Sequence, residues 1–288
     1  MTQLGSLWQR MPWAVRLSLL FIILFVLFAL FGSWLTPYDF RETSLFDRFK
    51  PPYFLGGELK HFLGTDGRGR DLLARLVVGA RVTLLVAVTG TLIGAVFGSL
   101  LGLLAGARRG KTESIIMMAV DVQASVPIII IALFVLAIFK SSLPLIIIIV
   151  GFAGWEQYAR LVRAATLSVR ERGYVTAERV LGASPVRIYL RYVLPNIFNI
   201  ILVQFTINLP LTVLLETALS FLGLGVQPPM TSLGEIMSEG RDRLLTSWWL
   251  TIFPGGIIFC LALSVSLIGD WMRDQLDPTL RNAGRNSS

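Results

Sequence analysis

The chain has 288 residues, 54% of them hydrophobic and only 15% charged, with a mean hydropathy of +0.69 and a formal charge of +8. This composition is too apolar for an ordinary soluble domain, so it predicts one polytopic membrane domain. Basic loops between spans account for the positive charge, and the recognised nucleic-acid-binding motifs are absent, so we expect no nucleic-acid partner.

The first predicted element is a transmembrane helix near the N-terminus. Residues 1–16 are expected to be cytoplasmic, and residues 17–36 form an apolar run close to the roughly 20 residues that a membrane-spanning helix needs. Trp13 and Trp34 lie near its two ends, where aromatic rings favour the interface. A cleaved signal peptide is the alternative, but no clear small-x-small cleavage site follows. We therefore favour an uncleaved span.

Residues 37–81 form a polar segment rich in glycine and proline, which predicts a turn-rich extracytoplasmic loop. Asp66 and Asp71 are both candidate N-caps for a short helix that leads into the next span. The Gly-Arg-Gly-Arg stretch at 67–70 is expected to be a solvated loop, because it lacks the lysine and the spacing of a phosphate-binding loop. His61, the only histidine, has no partners for a catalytic triad or a zinc site in this interpretation.

Three further spans are predicted at 82–107, 115–139 and 143–159. In the first of these, glycines recur at every fourth residue from 90 to 102, which predicts that another helix approaches that face closely. Pro127 interrupts the next span. Asp121, in the same span, is expected to pair with arginines at the cytoplasmic end.

The only long polar island in the second half of the chain, residues 174–195, predicts a helix-turn-helix hairpin. Gly182 ends the first helix, because glycine tolerates the left-handed conformation found at many helix ends. Ser184 then reads as an N-cap and Pro185 as the first residue of a second helix. That helix is predicted to run to residue 194 and to stop before the next proline.

Two spans are predicted after the hairpin, at 197–222 and from the Trp-Trp pair at 248–249 to residue 268, joined by a loop and followed by a tail at 271–288. Six spans place both termini and the hairpin on one face of the membrane. Lysine and arginine are modestly more frequent on that face, which indicates that it is cytoplasmic. The single cysteine, Cys260, excludes a disulfide framework or a cysteine metal site within the chain.

The hairpin resembles the coupling loop of the inner-membrane permease subunits of binding-protein-dependent ATP-binding-cassette (ABC) importers. That pattern is Glu-Ala-Ala, three residues, glycine, and Leu-Pro about a dozen residues later. Thr176, Ala177 and Glu178 occupy the first three positions here, Gly182 the glycine, and the Leu-Pro pair stands at 194–195. Stretches at 63–71, 219–229 and 269–278 are similar to the peptide and nickel branch, in the dipeptide and oligopeptide C-type subunit.

This resemblance implies an all-α fold, the type I ABC importer permease fold, with six transmembrane helices and a cytoplasmic coupling helix hairpin. Residues 82–270 would form a five-helix core that carries the hairpin. The implied partners are a homologous permease subunit, two cytoplasmic ABC ATPase subunits that hold ATP and magnesium, and an extracytoplasmic substrate-binding protein. The chain itself would sit in the bacterial inner membrane, contact lipid, and hold no cofactor, metal or catalytic residue.

Two groups of site residues follow. The residues expected to couple the chain to an ATPase are Thr176, Ala177, Glu178, Gly182, Ala183, Ser184, Pro185 and Val186. Deep in the fifth span, Asn208 and Glu216 are costly in lipid and therefore informative. They either line or gate a translocation path or fix the bundle by interhelical hydrogen bonds, and both interpretations stay open.

Peptides are the favoured substrate, with nickel chelates and glutathione as further candidates in this branch. A secondary transporter driven by an ion gradient is the alternative function, but it predicts inverted repeats and a chain of intramembrane acids that the sequence lacks. An intramembrane enzyme would need converging acid, base or metal groups, which we do not find.

Overall fold

The computed structural model describes residues 11–276 of the chain. The expected cytoplasmic N-terminus therefore lies mostly outside the described residues, as does the tail beyond residue 276. Within 11–276 the chain is helical and has no β-strand, apart from one isolated bridge between Thr65 and Asp71. The helices are α1 (Trp13–Phe31), α2 (Leu72–Ala107), α3 (Lys111–Ser125), α4 (Ile128–Phe139), α5 (Leu143–Gly151), α6 (Trp155–Arg170), α7 (Gly173–Val180), α8 (Pro185–Ile188), α9 (Leu194–Phe221), α10 (Leu233–Gly240) and α11 (Trp249–Leu276).

Within the described residues, five spans are long and apolar enough to cross a membrane, and a bent helix pair makes a sixth candidate. The bent pair is α3 with α4, which meet at 84°. The predicted interruption of the third span at Pro127 is therefore confirmed, and it divides the span into two helices. Pro127 causes the break, because proline lacks an amide donor and forces the preceding residue out of the helical region; Val126 is extended, with φ −109° and ψ 127°.

The predicted fourth span is also interrupted, since α5 ends at Gly151 and α6 begins at Trp155. The two helices together form one candidate span, Leu143–Arg170, which extends well past the predicted end at residue 159. We call residues 152–154 the helix break. Because helix ends leave backbone groups without helical partners, a break of this kind places polar backbone inside the bundle.

The second span begins ten residues earlier than predicted, at Leu72 instead of residue 82. Asp71 caps it: one carboxylate oxygen accepts a hydrogen bond from the Ala74 amide at 2.8 Å. In the sequence, residues 72–81 resemble a loop because they contain the charged Arg75. In the structure Arg75 is fully buried and paired with carboxylates from elsewhere in the chain, so its charge does not exclude it from a helix core.

The glycine-lined face of α2 packs directly against α6, as predicted. A Cβ atom added at Gly98 would lie 2.2 Å from the Trp155 carbonyl oxygen, and one at Gly102 would lie 2.5 Å from the Ala159 oxygen. One turn earlier, a Cβ atom at Gly94 would lie 2.7 Å from the oxygen of Gly151, the last residue of α5. The small residues thus let the backbone of α2 touch the end of α5 and the first part of α6.

Large apolar side chains are exposed along the outside of the bundle, as expected where lipid replaces water. The outer face of α1 is an example, with Leu17, Leu20, Ile23, Leu24 and Leu27 each about half exposed. The opposite face of α1 packs on α2 and α11 through the buried side chains of Phe25 and Ala29. One surface of this helix therefore faces the bundle and the other faces lipid.

Candidate functional site

The hairpin begins with α7, whose C-terminus is closed by backbone hydrogen bonds around Gly182. The Ala183 amide donates to the Glu178 carbonyl at 3.1 Å, and the Gly182 amide donates to the Arg179 carbonyl at 3.1 Å. Gly182 has φ +83°, the left-handed conformation that this cap requires. The predicted glycine stop is therefore confirmed, together with its physical reason.

The second helix of the hairpin begins as predicted but does not end where predicted. The Ser184 side chain accepts a hydrogen bond from the Arg187 amide, and Pro185 occupies the first turn. The helix then widens into a π-helix at Tyr189–Val193 and continues as α9 through Pro195. The predicted stop before Pro195 is wrong, because the wider turn shifts the hydrogen bonds by one residue and leaves room for the proline ring.

Buried side chains fix the hairpin to the rest of the bundle. Val175 and Ile188 are almost fully buried and pack against Val162 and Val169 of α6. The Tyr192 hydroxyl also donates a hydrogen bond of 2.7 Å to the Glu178 carboxylate, which joins the two arms of the hairpin. The hairpin is therefore held in one position, so a force on it can be passed to the spans.

The tip of the hairpin carries apolar side chains that nothing in residues 11–276 covers. Val180 is 82% exposed, Leu181 80% and Val186 68%, with Leu190 at 58%. We call these four residues the hairpin surface. Ile188, in the same hairpin, is buried. Of the expected coupling residues, those that are exposed are Thr176, Ala177, Gly182, Ser184, Pro185 and Val186; Glu178 and Ala183 are half-buried.

Asn208 lies on the wall of a cavity of about 430 Å³ beside the helix break. The wall is formed by α2, α4, α5, α6 and α9, and it includes Gly154, Gln157 and Tyr158 as well as Asn208. We call this space the break cavity. Asn208 is almost fully buried, and its Oδ1 accepts a hydrogen bond of 3.1 Å from Gln204. The structure thus places Asn208 against open space inside the bundle.

Glu216 lies apart from the break cavity, although it shares α9 with Asn208. Its side chain is fully buried, and its Oε1 accepts a hydrogen bond of 2.7 Å from Ser220. Ser220 in turn lies 3.3 Å from Ser232, just before α10. The structure therefore brings Glu216 together with two serines at the α9–α10 contact and not with Asn208.

The loop after α1 and helix α10 are joined by charged side chains that sequence reasoning missed. Arg75 Nη1 lies 2.5 Å from Asp66 Oδ2, and Arg75 Nη2 lies 2.7 Å from Glu235 Oε2. Arg70 pairs with Asp66 at 2.6 Å and with Glu239 at 2.8 Å, and Arg75 also contacts Glu239. We call these five residues the ion cluster.

Burial and charge act in opposite directions on the acids of the ion cluster. For Asp66, burial raises the pKa, but the neighbouring Arg75 and Arg70 and two backbone amides outweigh it, so the pKa falls below its usual value. The pKa of Glu239 falls as well, since the charges of Arg75 and Arg70 outweigh burial. The pKa of Glu235 rises, because burial prevails over the attraction of Arg75.

The ion cluster corrects two expectations about these segments. Asp66 does not cap α2, and Arg70 is buried rather than solvated. The region before the last span, predicted as a loop, contains α10. The sequence did carry a signal for this helix: Ser232 followed by Glu235 three residues later is a capping box, and the Ser232 hydroxyl does accept from the Glu235 amide, at 3.2 Å.

His61 and Asp121 have simple partners. His61 is buried, with Nδ1 3.0 Å from Asp71 Oδ2, so it does find an acidic partner; the described part of the chain contains no group of three or more residues that could hold a metal ion. Asp121 pairs with Arg160 at 3.0 Å, which confirms the expected arginine contact.

Sequence comparison places the chain beside known membrane transport proteins. Residues 98–282 match the family described as binding-protein-dependent transport system inner membrane component, and residues 6–52 match the N-terminal transmembrane domain of oligopeptide transport permease C. The chain is 40% identical over 267 residues to the di/tripeptide transport system permease protein DppC of Pseudomonas aeruginosa, covering 92% of this chain and 88% of that protein.

Two further relatives are oligopeptide transport system permease proteins named OppC. The one from Bacillus subtilis is 34% identical over 282 residues, covering 96% of this chain and 91% of the relative. The one from Escherichia coli K12 is 36% identical over 261 residues, covering 91% and 85%. Among solved structures, an inward-facing MetNI methionine ABC transporter matches with a TM-score of 0.57 and 23% identity, over 69% of this chain and 95% of that chain. This structural match shows the fold.

Proposed function

The chain belongs to the family of binding-protein-dependent transport system inner membrane components, and from this premise we propose that it imports peptides as the permease subunit of an ABC importer. The single observation that carries the peptide assignment is the similarity, over most of the chain, to permeases named for di/tripeptide and oligopeptide transport. It is a transport subunit and not an enzyme. ATP and magnesium bind to separate ATPase subunits.

The proposed assembly contains this chain, a homologous permease subunit, two cytoplasmic ABC ATPases and an extracytoplasmic substrate-binding protein. The binding protein delivers peptide to the face that carries residues 37–71 and α10. Nickel chelates and glutathione are the other substrate candidates in the peptide and nickel branch of the family.

The ion cluster supports six crossings and a cytoplasmic hairpin. It joins the loop after α1 to α10, so both lie on the same face of the membrane. An even number of crossings must therefore separate them. Three candidate spans besides the bent pair lie between them, Leu72–Ala107, Leu143–Arg170 and Pro185–Phe221, so the bent pair α3–α4 supplies the fourth. With six crossings in the chain, both termini and the hairpin share the cytoplasmic face.

The hairpin couples the chain to an ATPase through its exposed tip. Its apolar residues are 58–82% exposed, while its inner face is fixed to α6. ATP-driven closure of the ATPases would push on the hairpin surface and rock the spans between inward-facing and outward-facing arrangements. Binding of ATP or peptide shifts the population between these arrangements, and hydrolysis gives the cycle its direction.

Asn208 contributes to the translocation path, since it faces the break cavity. Glu216 is bonded at the α9–α10 contact, which favours the interhelical role over a place in the path. Dependence of uptake on ATP distinguishes this function from that of an ion-gradient-driven transporter.

Crosslinking tests the proposal in the complete complex. A single cysteine at Val186, in a Cys260→Ser background, is paired with cysteines along the surface groove of the co-expressed ATPase. Val186 is a better site than Gly182, because a side chain at φ +83° would strain the hairpin. We expect efficient crosslinks whose yield changes with ATP.

Phe46→Cys is the matched control, since Phe46 is 98% exposed and lies in the loop on the opposite face. It should give no crosslink to the ATPase. Failure of Val186→Cys to crosslink in an assembled complex, or uptake that runs on an ion gradient without ATPase subunits, would refute the proposal.

A further inference from the structure

Two buried polar atoms on the wall of the break cavity have no hydrogen-bond partner within residues 11–276 other than each other. They are the Asn208 side-chain nitrogen and the Tyr158 hydroxyl. Tyr158 is 1% exposed and Asn208 4%. Buried polar groups are nearly always hydrogen-bonded, because an unpaired one is destabilising. A contact between the two uses only one Asn208 N–H, so the second N–H and the Tyr158 O–H are left for a further hydrogen-bonding group in the cavity.

The neighbouring amides determine which atom of Asn208 is available. Gln204 donates to Gln157 Oε1 at 3.0 Å and to Asn208 Oδ1 at 3.1 Å. The carbonyl oxygen of Asn208 is thus already occupied, and its NH₂ group remains as a donor. The Tyr158 hydroxyl can donate or accept. Together they complement a group that offers a carbonyl oxygen beside a second polar atom.

The chemistry of the cavity wall limits the ligand to an uncharged group. The lining side chains include no aspartate, glutamate, lysine, arginine or histidine, so a charged terminus or side chain would find no counter-charge there. The volume of about 430 Å³ is within the range of small-molecule sites.

We propose that the break cavity is a subsite for the main-chain amide of the translocated peptide, held by the Asn208 NH₂ group and the Tyr158 hydroxyl. This inference rests on the proposed function. Recognition of the main chain would hold a peptide between its release by the binding protein and its exit to the cytoplasm. Because every peptide carries the same main chain, the subsite would accept peptides of any side-chain composition.

Removing the Tyr158 hydroxyl provides a test that does not disturb the fold. Apart from Asn208, the hydroxyl has no partner in the described residues, so Tyr158→Phe removes the hydrogen bond to the ligand with little change in thermal stability. The measurement is the number of peptides imported per ATP hydrolysed, in proteoliposomes that contain the complete importer with its binding protein. We expect a loss of roughly threefold to tenfold, equivalent to one hydrogen bond.

The loss should be the same factor for tripeptides with lysine, glutamate or leucine side chains, because the contact is to the main chain. Asn208→Leu should show a similar loss. Gly154→Ala is a second route to the same result: its Cβ would lie 3.1 Å from Asn208 Nδ2 and would crowd the donor without removing it.

Thr166→Val is the matched control on the same helix. Thr166 is fully buried, its hydroxyl also has no partner within 11–276, and it packs beside Gly106 instead of lining the cavity. Its transport should equal that of the wild type. Equal losses in Thr166→Val and Tyr158→Phe would trace the effect to helix packing and overturn the subsite.

The outcomes separate the subsite from the proposed function. ATP-dependent uptake by the wild-type complex, with unchanged uptake by Tyr158→Phe and Asn208→Leu, would overturn the subsite alone. A loss of transport confined to charged peptides would also overturn the subsite alone. If the complete wild-type complex imports no peptide, the proposed function and the subsite both fail.

Discussion

Arg75 is a fully buried arginine whose position shows how single charges connect distant parts of this chain. It contacts Asp66, nine residues earlier, and Glu235, about 160 residues later. Removing one partner of such a pair is costly, because the remaining charge stays buried without compensation. The ion cluster therefore fixes the loop after α1 against α10 through contacts that no local pattern reveals.

Two glutamates on α10 should differ in their importance for stability. Glu239→Gln should lower the free energy of unfolding by about 1–3 kcal/mol, because it removes a carboxylate whose ionised form Arg75 and Arg70 favour. Glu235→Gln should cost less, since burial already favours the neutral form of Glu235. The measurement is denaturant or thermal unfolding of each variant in detergent at pH 7. An equal or larger cost for Glu235→Gln would contradict this assignment.

The effect of Glu239 should also depend on pH. Its folded-state pKa lies below the ordinary value of 4.5, so its contribution is fully present above pH 4.5 and is lost as the pH falls through the lowered value. The stability gap between wild type and Glu239→Gln should therefore narrow below pH 4.5. If the difference in unfolding free energy between the two proteins grew on acidification, the pKa of Glu239 in the folded state would not be lowered, which would contradict this prediction.

At the scale of elements, small residues and prolines decide where helices touch and where they break. Gly98 and Gly102 bring α2 against the backbone of α6, whereas Pro127 turns α4 by 84° from α3. Pro195 lies in a continuous helix, because the π-helix before it accommodates the ring. The effect of a proline therefore depends on the hydrogen-bond pattern of the preceding turn.

Alanine at two helical glycines should have opposite effects. Gly98→Ala would place a Cβ atom 2.2 Å from the Trp155 carbonyl oxygen, so α2 and α6 would have to separate; we expect a loss of several °C in thermal stability. Gly256→Ala, in α11, meets nothing within 4 Å and should be neutral or stabilising, because alanine has the better helix propensity by about 1 kcal/mol. Similar thermal stability of the two variants would contradict the close packing of α2 on α6.

At the scale of the whole molecule, the proposed topology separates the loop after α1 from the hairpin by the membrane. The loop carries Phe46, which is 98% exposed, and the hairpin carries Val180, which is 82% exposed. These two positions are accessible enough for chemical labelling, and no packing is lost when they are replaced.

Cysteine labelling checks this topology directly. In a Cys260→Ser background, a membrane-impermeant maleimide added to spheroplasts should label Phe46→Cys but not Val180→Cys, Ser6→Cys or Ser287→Cys. Permeabilisation should expose all four. Labelling of Val180→Cys from outside would mean that the bent pair α3–α4 enters and leaves by the same face, which contradicts six crossings.

The sequence alone determined the all-α membrane class, the family resemblance, the glycine that ends the first hairpin helix and the start of the second. These features depend on local chemistry: apolar runs that match the bilayer, a glycine at a left-handed cap, and a serine–proline helix start. For the same reason the glycine repeat predicted the close face of α2.

Tertiary structure alone decided the early start of α2, the place of α10 against the loop after α1, the separation of Asn208 from Glu216, and the break cavity. Each of these depends on residues far apart in the chain that share a charge, a hydrogen bond or a cavity wall. Arg75 resembles a loop residue until Glu235 and Glu239 neutralise it, and Tyr158 resembles a core aromatic until its hydroxyl is found beside Asn208 on a cavity wall. Local sequence does not contain such pairings, because the energy that stabilises them comes from burial against other elements.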